Sequence, residues 1–123
     1  MKTILLVDDD ELFGAMLEKT LIHFGYKVVR AHNGQEALDL YDARTVSLVL
    51  TDLIMPDKEG LELITELRRT NPAVKVIAMS GGGRNNPEVF LRAAQHLGAL
   101  KILAKPFPQE ALAKAVFECL EVQ

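Results

Sequence analysis

Five short apolar runs recur along the chain, near residues 3–7, 27–31, 46–51, 74–79 and 101–104, and longer segments with helical spacing separate them. This alternation constrains the fold more than any other feature. The runs have the length and β-branched content of buried strands, and regular alternation of such strands with helices implies a parallel sheet covered on both faces. The first intervening segment places Phe13, Met16, Leu17, Thr20, Leu21 and Phe24 on one helical face and ends at Gly25, a residue suited to the C′ position of a helix. Asn33-Gly34 turns the chain into a second helix over 35–43, and a third over 61–70 is stopped by Asn71-Pro72. Asn86-Pro87 opens a fourth that Gly98 ends, and Phe107-Pro108 opens a fifth with Pro108 at the first helical position. Five βα units fall short of the eight a barrel needs, so the pattern predicts an α/β fold, an open doubly wound sheet of five parallel strands with five helices.

The 123 residues match one domain, and no repeat or low-complexity linker divides them, so a single domain over 1–123 is expected. A content of 49% hydrophobic and 25% charged residues excludes a disordered chain. The lone Cys119 excludes an intramolecular disulfide framework and a cysteine-based zinc site, which suits a reducing compartment, the cytoplasm by default. The first apolar stretch is too short for a signal-peptide core, and Asp52 interrupts the best candidate for a membrane span, residues 46–55. Fourteen Lys and Arg against 17 Asp and Glu give a net charge of −3, which offers no general attraction to nucleic acid or to an anionic membrane.

In open α/β sheets the ligand crevice lies beyond the carboxyl ends of the strands. Here those ends carry Asp8-Asp9-Asp10, Asp52, Ser80 and Lys105. A helix cap accounts for Asp10 but not for Asp8, Asp9 and Asp52 together. Three carboxylates converging on one crevice repel one another unless a cation neutralises them, and carboxylate oxygens without His or Cys suit Mg²⁺ or Mn²⁺. Mg²⁺ usually keeps waters beside one or two protein carboxylates, which leaves room for a phosphoryl oxygen; Lys105 adds a mobile point charge and Ser80 a hydroxyl donor for that group. The nucleophile is then a carboxylate, and Asp52, framed by Leu50 and Leu53, is the candidate for in-line attack to form an acyl phosphate. The three histidines, His23, His32 and His96, lack metal-ligand spacing and read as structural or exposed.

The motifs ILLVDDD, TDLIMPDKEG, VIAMSG and LAKPF, in this order and across nearly the whole chain, resemble those of response-regulator receiver domains. The resemblance implies a sheet of order 2-1-3-4-5, a phosphoryl group received on Asp52 from a sensor histidine kinase or a histidine phosphotransfer protein, and a Mg²⁺-dependent switch of a protein-interaction surface. By position it implies Asp9 as a direct metal ligand, Asp8 as a ligand largely through water, and the backbone carbonyl of Ile54 as a further ligand beside Asp52. Ser80 matches the family's Ser/Thr and Lys105 its lysine, and the family holds the Lys105-Pro106 bond cis. With no DNA-binding or enzymatic domain expected, output is contact with another protein, as yet unidentified, or competition for phosphoryl groups; the chain is expected to be a signalling phosphoacceptor rather than an enzyme with turnover.

The chain departs from the family at three places. Ile102 stands where an aromatic residue is common, and Ile54 and Gly82 stand where polar side chains influence the hydrolytic water, so slow hydrolysis is expected. The segment from Ser80 to Gly98 is a few residues longer than usual, and its glycine-rich start is expected to be a mobile loop that, with the fourth helix, carries output. Two other readings are available. Asp8-Asp9-Asp10 also fits the D-x-D of haloacid-dehalogenase-like phosphatases with Asp8 as nucleophile, although no Asp follows Asp57 to supply their second acidic cluster. A phosphorylation-independent interaction module is the other, although all five site positions are intact.

Overall fold

The computed structural model describes residues 1–54, 60–81 and 87–121. The chain runs β1 (Thr3–Val7), α1 (Glu11–His23), β2 (Lys27–Ala31), α2 (Gly34–Leu40), β3 (Val46–Asp52), α3 (Gly60–Thr70), β4 (Val76–Gly81), α4 (Pro87–His96), β5 (Lys101–Lys105) and α5 (Gln109–Leu120). All strand pairs are parallel and the order is β2-β1-β3-β4-β5, the flavodoxin-like doubly wound sheet. Alternate side chains divide the core. Ile4, Leu6, Leu48, Leu50, Ile77 and Met79 pack under α1 and α5 through Leu17, Leu21, Leu112 and Val116. Leu5, Val7, Val49, Val76 and Ala78 pack on the other face against Ala37, Leu63, Ile64, Leu67 and Ala94 of α2, α3 and α4. Central strands are therefore buried on both faces, as their unbroken apolar runs require.

Local signals set most boundaries. The Asp10 side chain accepts a hydrogen bond from the Phe13 N–H at 3.0 Å and caps α1. Gly25, at φ +98°, ends α1 with its N–H donated to the Ile22 carbonyl and the Tyr26 N–H donated to Leu21. Asn33 caps α2 by accepting from the Glu36 N–H at 2.8 Å. Gly98, at φ +115°, follows the end of α4.

Three expected boundaries are corrected. The second helix ends at Leu40 rather than at residue 43, because Tyr41 turns extended at ψ 126° and the Asp42 carbonyl takes the N–H groups of Thr45 and Val46 in a turn. The fourth strand starts at Val76 rather than at residue 74, because the Val74 N–H is committed to the Asn71 carbonyl. Pro108 is the N-cap of α5 rather than its first helical residue: it is extended, at φ −74° and ψ 159°, and its carbonyl accepts the N–H groups of Ala111 and Leu112. The expected loop at 82–86, which includes Gly82, lies outside the described residues. Among the described residues no helix is long and apolar enough to cross a membrane.

Candidate functional site

The parallel sheet brings the carboxyl ends of β1, β3, β4 and β5 to one edge. Asp8 follows β1 directly and is fully buried. Its Oδ1 accepts from the Asp10 N–H at 2.9 Å, so the residue that caps α1 also orients Asp8. Asp52 closes β3 and is 8% exposed. Its Oδ1 accepts from the Leu53 N–H at 2.8 Å and more distantly from the Ile54 N–H at 3.5 Å, which leaves Oδ2 toward Lys105. Lys105 closes β5 and places Nζ 3.2 Å from Asp52 Oδ2 and 3.4 Å from Asp8 Oδ2. Ser80, one residue before the end of β4, is buried, and its Oγ has no hydrogen-bond partner among the described residues. Asp9 is exposed at the mouth, and ligand oxygens of Asp8, Asp9 and Asp52 all lie within 4.8 Å of one another.

Two glycines permit this closeness. A Cβ on Gly60 would stand 2.4 Å from the Asp52 carbonyl oxygen, so α3 can begin against the β3 end only without a side chain there. Gly81 pairs with Lys105 in the β4–β5 register at φ +148°, and a Cβ on it would stand 2.6 Å from the Lys105 carbonyl oxygen. The Lys105-Pro106 bond that follows is cis.

Burial pushes the carboxyls of both Asp52 and Asp8 above the usual carboxylate value. For Asp52 the Lys105 ammonium and the two backbone N–H groups partly offset it; for Asp8 the Asp10 N–H and Lys105 do so, while the Asp52 charge adds to the rise. Three carboxylates facing one ammonium leave an excess of negative charge in a partly dry crevice. The donor set is all oxygen, close enough for one ion and open on the Asp9 side, which fits a hard divalent cation that retains water. The orphaned Ser80 hydroxyl is the complementary donor for an oxygen-rich ligand, since a buried hydroxyl without a partner is costly.

Most of the residues singled out from sequence thus come together. Ile54 is exposed beside Asp52 and contributes its N–H there. His23 and His96 stand in the last turns of α1 and α4, and His32 pairs with Glu11 and Glu36 on the surface, each at 3.0 Å. In the sequence Phe13 reads only as a core position of the first helix. Its ring lies 4.4 Å from Lys105 Nζ and edge-on to Phe107, with centroids 6.0 Å apart.

The sequence matches the family model of the response regulator receiver domain over residues 4–117. The chain belongs to the receiver domain family. It is 35% identical over 118 residues to the transcriptional regulatory protein GlrR of Escherichia coli K12, covering 96% of this chain and 26% of that protein. It is 36% identical over 112 residues to the transcriptional regulatory protein CpxR of the same strain, covering 91% of this chain and 46% of that one. The chain therefore spans less than half the length of these relatives. Among solved structures, a CheY-like receiver domain protein from Methanospirillum hungatei superposes with a TM-score of 0.86 at 30% identity over 98% of this chain and 94% of that one. The family it matches is the receiver domain of response regulators. The match to the receiver family over residues 4–117 favours that reading over the phosphatase one.

Proposed function

We propose that this receiver accepts a phosphoryl group on Asp52 from a sensor histidine kinase or a histidine phosphotransfer protein, in the cytoplasm, and thereby switches a surface that a downstream protein reads. The arrangement of Asp52 carries the proposal: a carboxylate at a strand end, with one oxygen held by the Leu53 N–H and the other 3.2 Å from a lysine ammonium, while the neighbouring strand ends near a buried serine whose hydroxyl has no partner among the described residues. Asp52 Oδ2 attacks the phosphorus of phosphohistidine, the P–N bond breaks, and the imidazole leaves with its electron pair and takes a proton from water. Lys105 and the Ser80 hydroxyl bind phosphoryl oxygens as charge shifts onto them. Asp8, Asp9, Asp52 and the Ile54 carbonyl would hold Mg²⁺, which supplies charge neutralisation between the acids and the incoming phosphoryl group. Asp9 would bind it directly and Asp8 largely through water. Output is then read at α4 and β5, where Ile102 lines an open hollow with Leu91, Arg92 and Gln95.

Intact-mass measurement with acetyl phosphate and Mg²⁺ tests this. One phosphoryl group should be added to wild type and none to Asp52→Asn; equal labelling of the two would refute the assignment, and labelling lost with Asp8 but retained without Asp52 would restore the phosphatase reading.

A further inference from the structure

Lys105 is held by more than its two acids. Its contacts to Asp8 and Asp52, at 3.4 and 3.2 Å, are both longer than the roughly 2.7–2.9 Å of a well-made charge-assisted hydrogen bond. A lysine head on a four-carbon stem is poorly fixed by two such contacts. The third side of the ammonium faces the ring of Phe13, with Nζ 4.4 Å from the centroid, inside the range where the ring quadrupole attracts a cation. The ring is itself fixed. Phe13 sits in the first turn of α1, its N–H bonded to the Asp10 cap, and the ring meets Phe107 edge-to-face at 79°. Phe107 lies two residues after Lys105, so the two aromatics join the start of α1 to the end of β5 across the crevice.

The geometry points to Phe13 as a positioning residue for phosphoryl transfer: its ring face holds the Lys105 ammonium at the crevice in the place from which it meets the incoming phosphoryl oxygens. The inference rests on the proposed role of Lys105. When Asp52 becomes an acyl phosphate, the lysine exchanges its Oδ2 anchor for the phosphoryl oxygens, whereas the ring contact does not depend on the charge of Asp52. Phe13 thus keeps the ammonium in the crevice before and after transfer. Cation–π contacts are strongest where water is excluded, and the Lys105 side chain is only 18% exposed.

The test compares Phe13→Leu, which keeps an apolar side chain against Phe107 but removes the ring face, with Phe13→Tyr, which restores it. Labelling by acetyl phosphate and Mg²⁺ should slow about three- to tenfold in Phe13→Leu and recover in Phe13→Tyr. NMR of the Lys105 Cε methylene gives a second readout, independent of chemistry at Asp52. Its proton resonance should lie upfield of those of the other lysines in wild type and Phe13→Tyr, through the ring current, and should lose that displacement in Phe13→Leu. Unchanged labelling in Phe13→Leu, an unmoved Lys105 resonance, or a Tyr variant as slow as Leu would each overturn the inference. If wild type takes no label at Asp52, the proposed function fails and the Lys105 resonance alone decides whether the ring holds the lysine. Should Phe13→Leu fail to fold, the Lys105 resonance in wild type decides: absence of the upfield displacement overturns the contact.

Discussion

Replacing Asp52 by Asn should make the metal-free protein more stable, although it removes the residue on which the function is proposed to rest. The variant loses the attraction between Asp52 and Lys105, roughly 5 kcal/mol at 3.2 Å and an effective dielectric of about 20. It also loses repulsion from Asp8, whose ligand oxygen lies within 4.8 Å, roughly 3.5 kcal/mol on the same scale, while the repulsion from exposed Asp9 is screened by water. The Coulomb balance alone slightly favours wild type, but burial of the charge, the largest cause of the raised Asp52 carboxyl, outweighs it, and its removal leaves the variant ahead by about 2 kcal/mol. Lys105 keeps Asp8 as a partner, so no ammonium is stranded. For a chain of this size the midpoint of thermal unfolding should rise by roughly 6–10 °C in EDTA at pH 7. Mg²⁺ should narrow the gap, since a ligand at a hundredfold excess over its Kd stabilises by about 2.7 kcal/mol and the variant has lost one donor oxygen. The pH dependence has a definite sign. Burial raises the Asp52 carboxyl in the folded state above 3.8, so the native protein binds that proton more readily than the unfolded chain. Stability from this group is fully present below 3.8 and falls as pH rises through the raised value; Asp8 acts with the same sign in both proteins and in the variant loses only the part of its rise that the Asp52 charge adds. The advantage of Asp52→Asn should therefore shrink as pH is lowered from 7 toward 4. A variant that melts at or below wild type in EDTA at pH 7 would refute the charge accounting.

Asp9 and Asp10 should separate cleanly: Asp9→Ala should abolish tight Mg²⁺ binding by titration, while Asp10→Ala should cost about 1 kcal/mol in denaturant unfolding through the lost α1 cap. A stronger metal defect in Asp10→Ala would mean that the site register is wrong by one. Gly81→Ala should destabilise by about 1–3 kcal/mol, because φ +148° suits only glycine and the new Cβ meets the Lys105 carbonyl; an unchanged unfolding midpoint would contradict this. Decay of the phosphorylated form should be slow, since Ile54 offers no polar side chain to align water, and Ile54→Asn should accelerate it several-fold on a phosphate-affinity gel. Fast wild-type decay with no gain in the variant would count against this reasoning.

Much of the molecule is legible along the chain because it depends on near neighbours. Apolar runs, glycine stops at Gly25 and Gly98, and the Asp10 cap act within a few residues, and they place five strands and five helices within a few positions. The acids at the strand ends are equally visible, since a doubly wound sheet puts every such end on one edge. At residues 41–43, 74–75 and 108 a backbone hydrogen bond in a turn or cap decides the boundary, and residue type does not report such a bond. The rest belongs to contacts between residues far apart. Lys105 meets Asp8 across 97 positions because β1 and β5 both flank the strands between them, and the parallel register sets that distance. The same register brings Gly81 against the Lys105 backbone. Phe13 reads in sequence as one more apolar position of α1, and only the tertiary fold brings its ring face to the lysine that closes β5. Sequence supplies the chemical groups and the local geometry of each, but distances among groups on different elements are fixed by how the sheet twists and the helices pack, which no local pattern encodes.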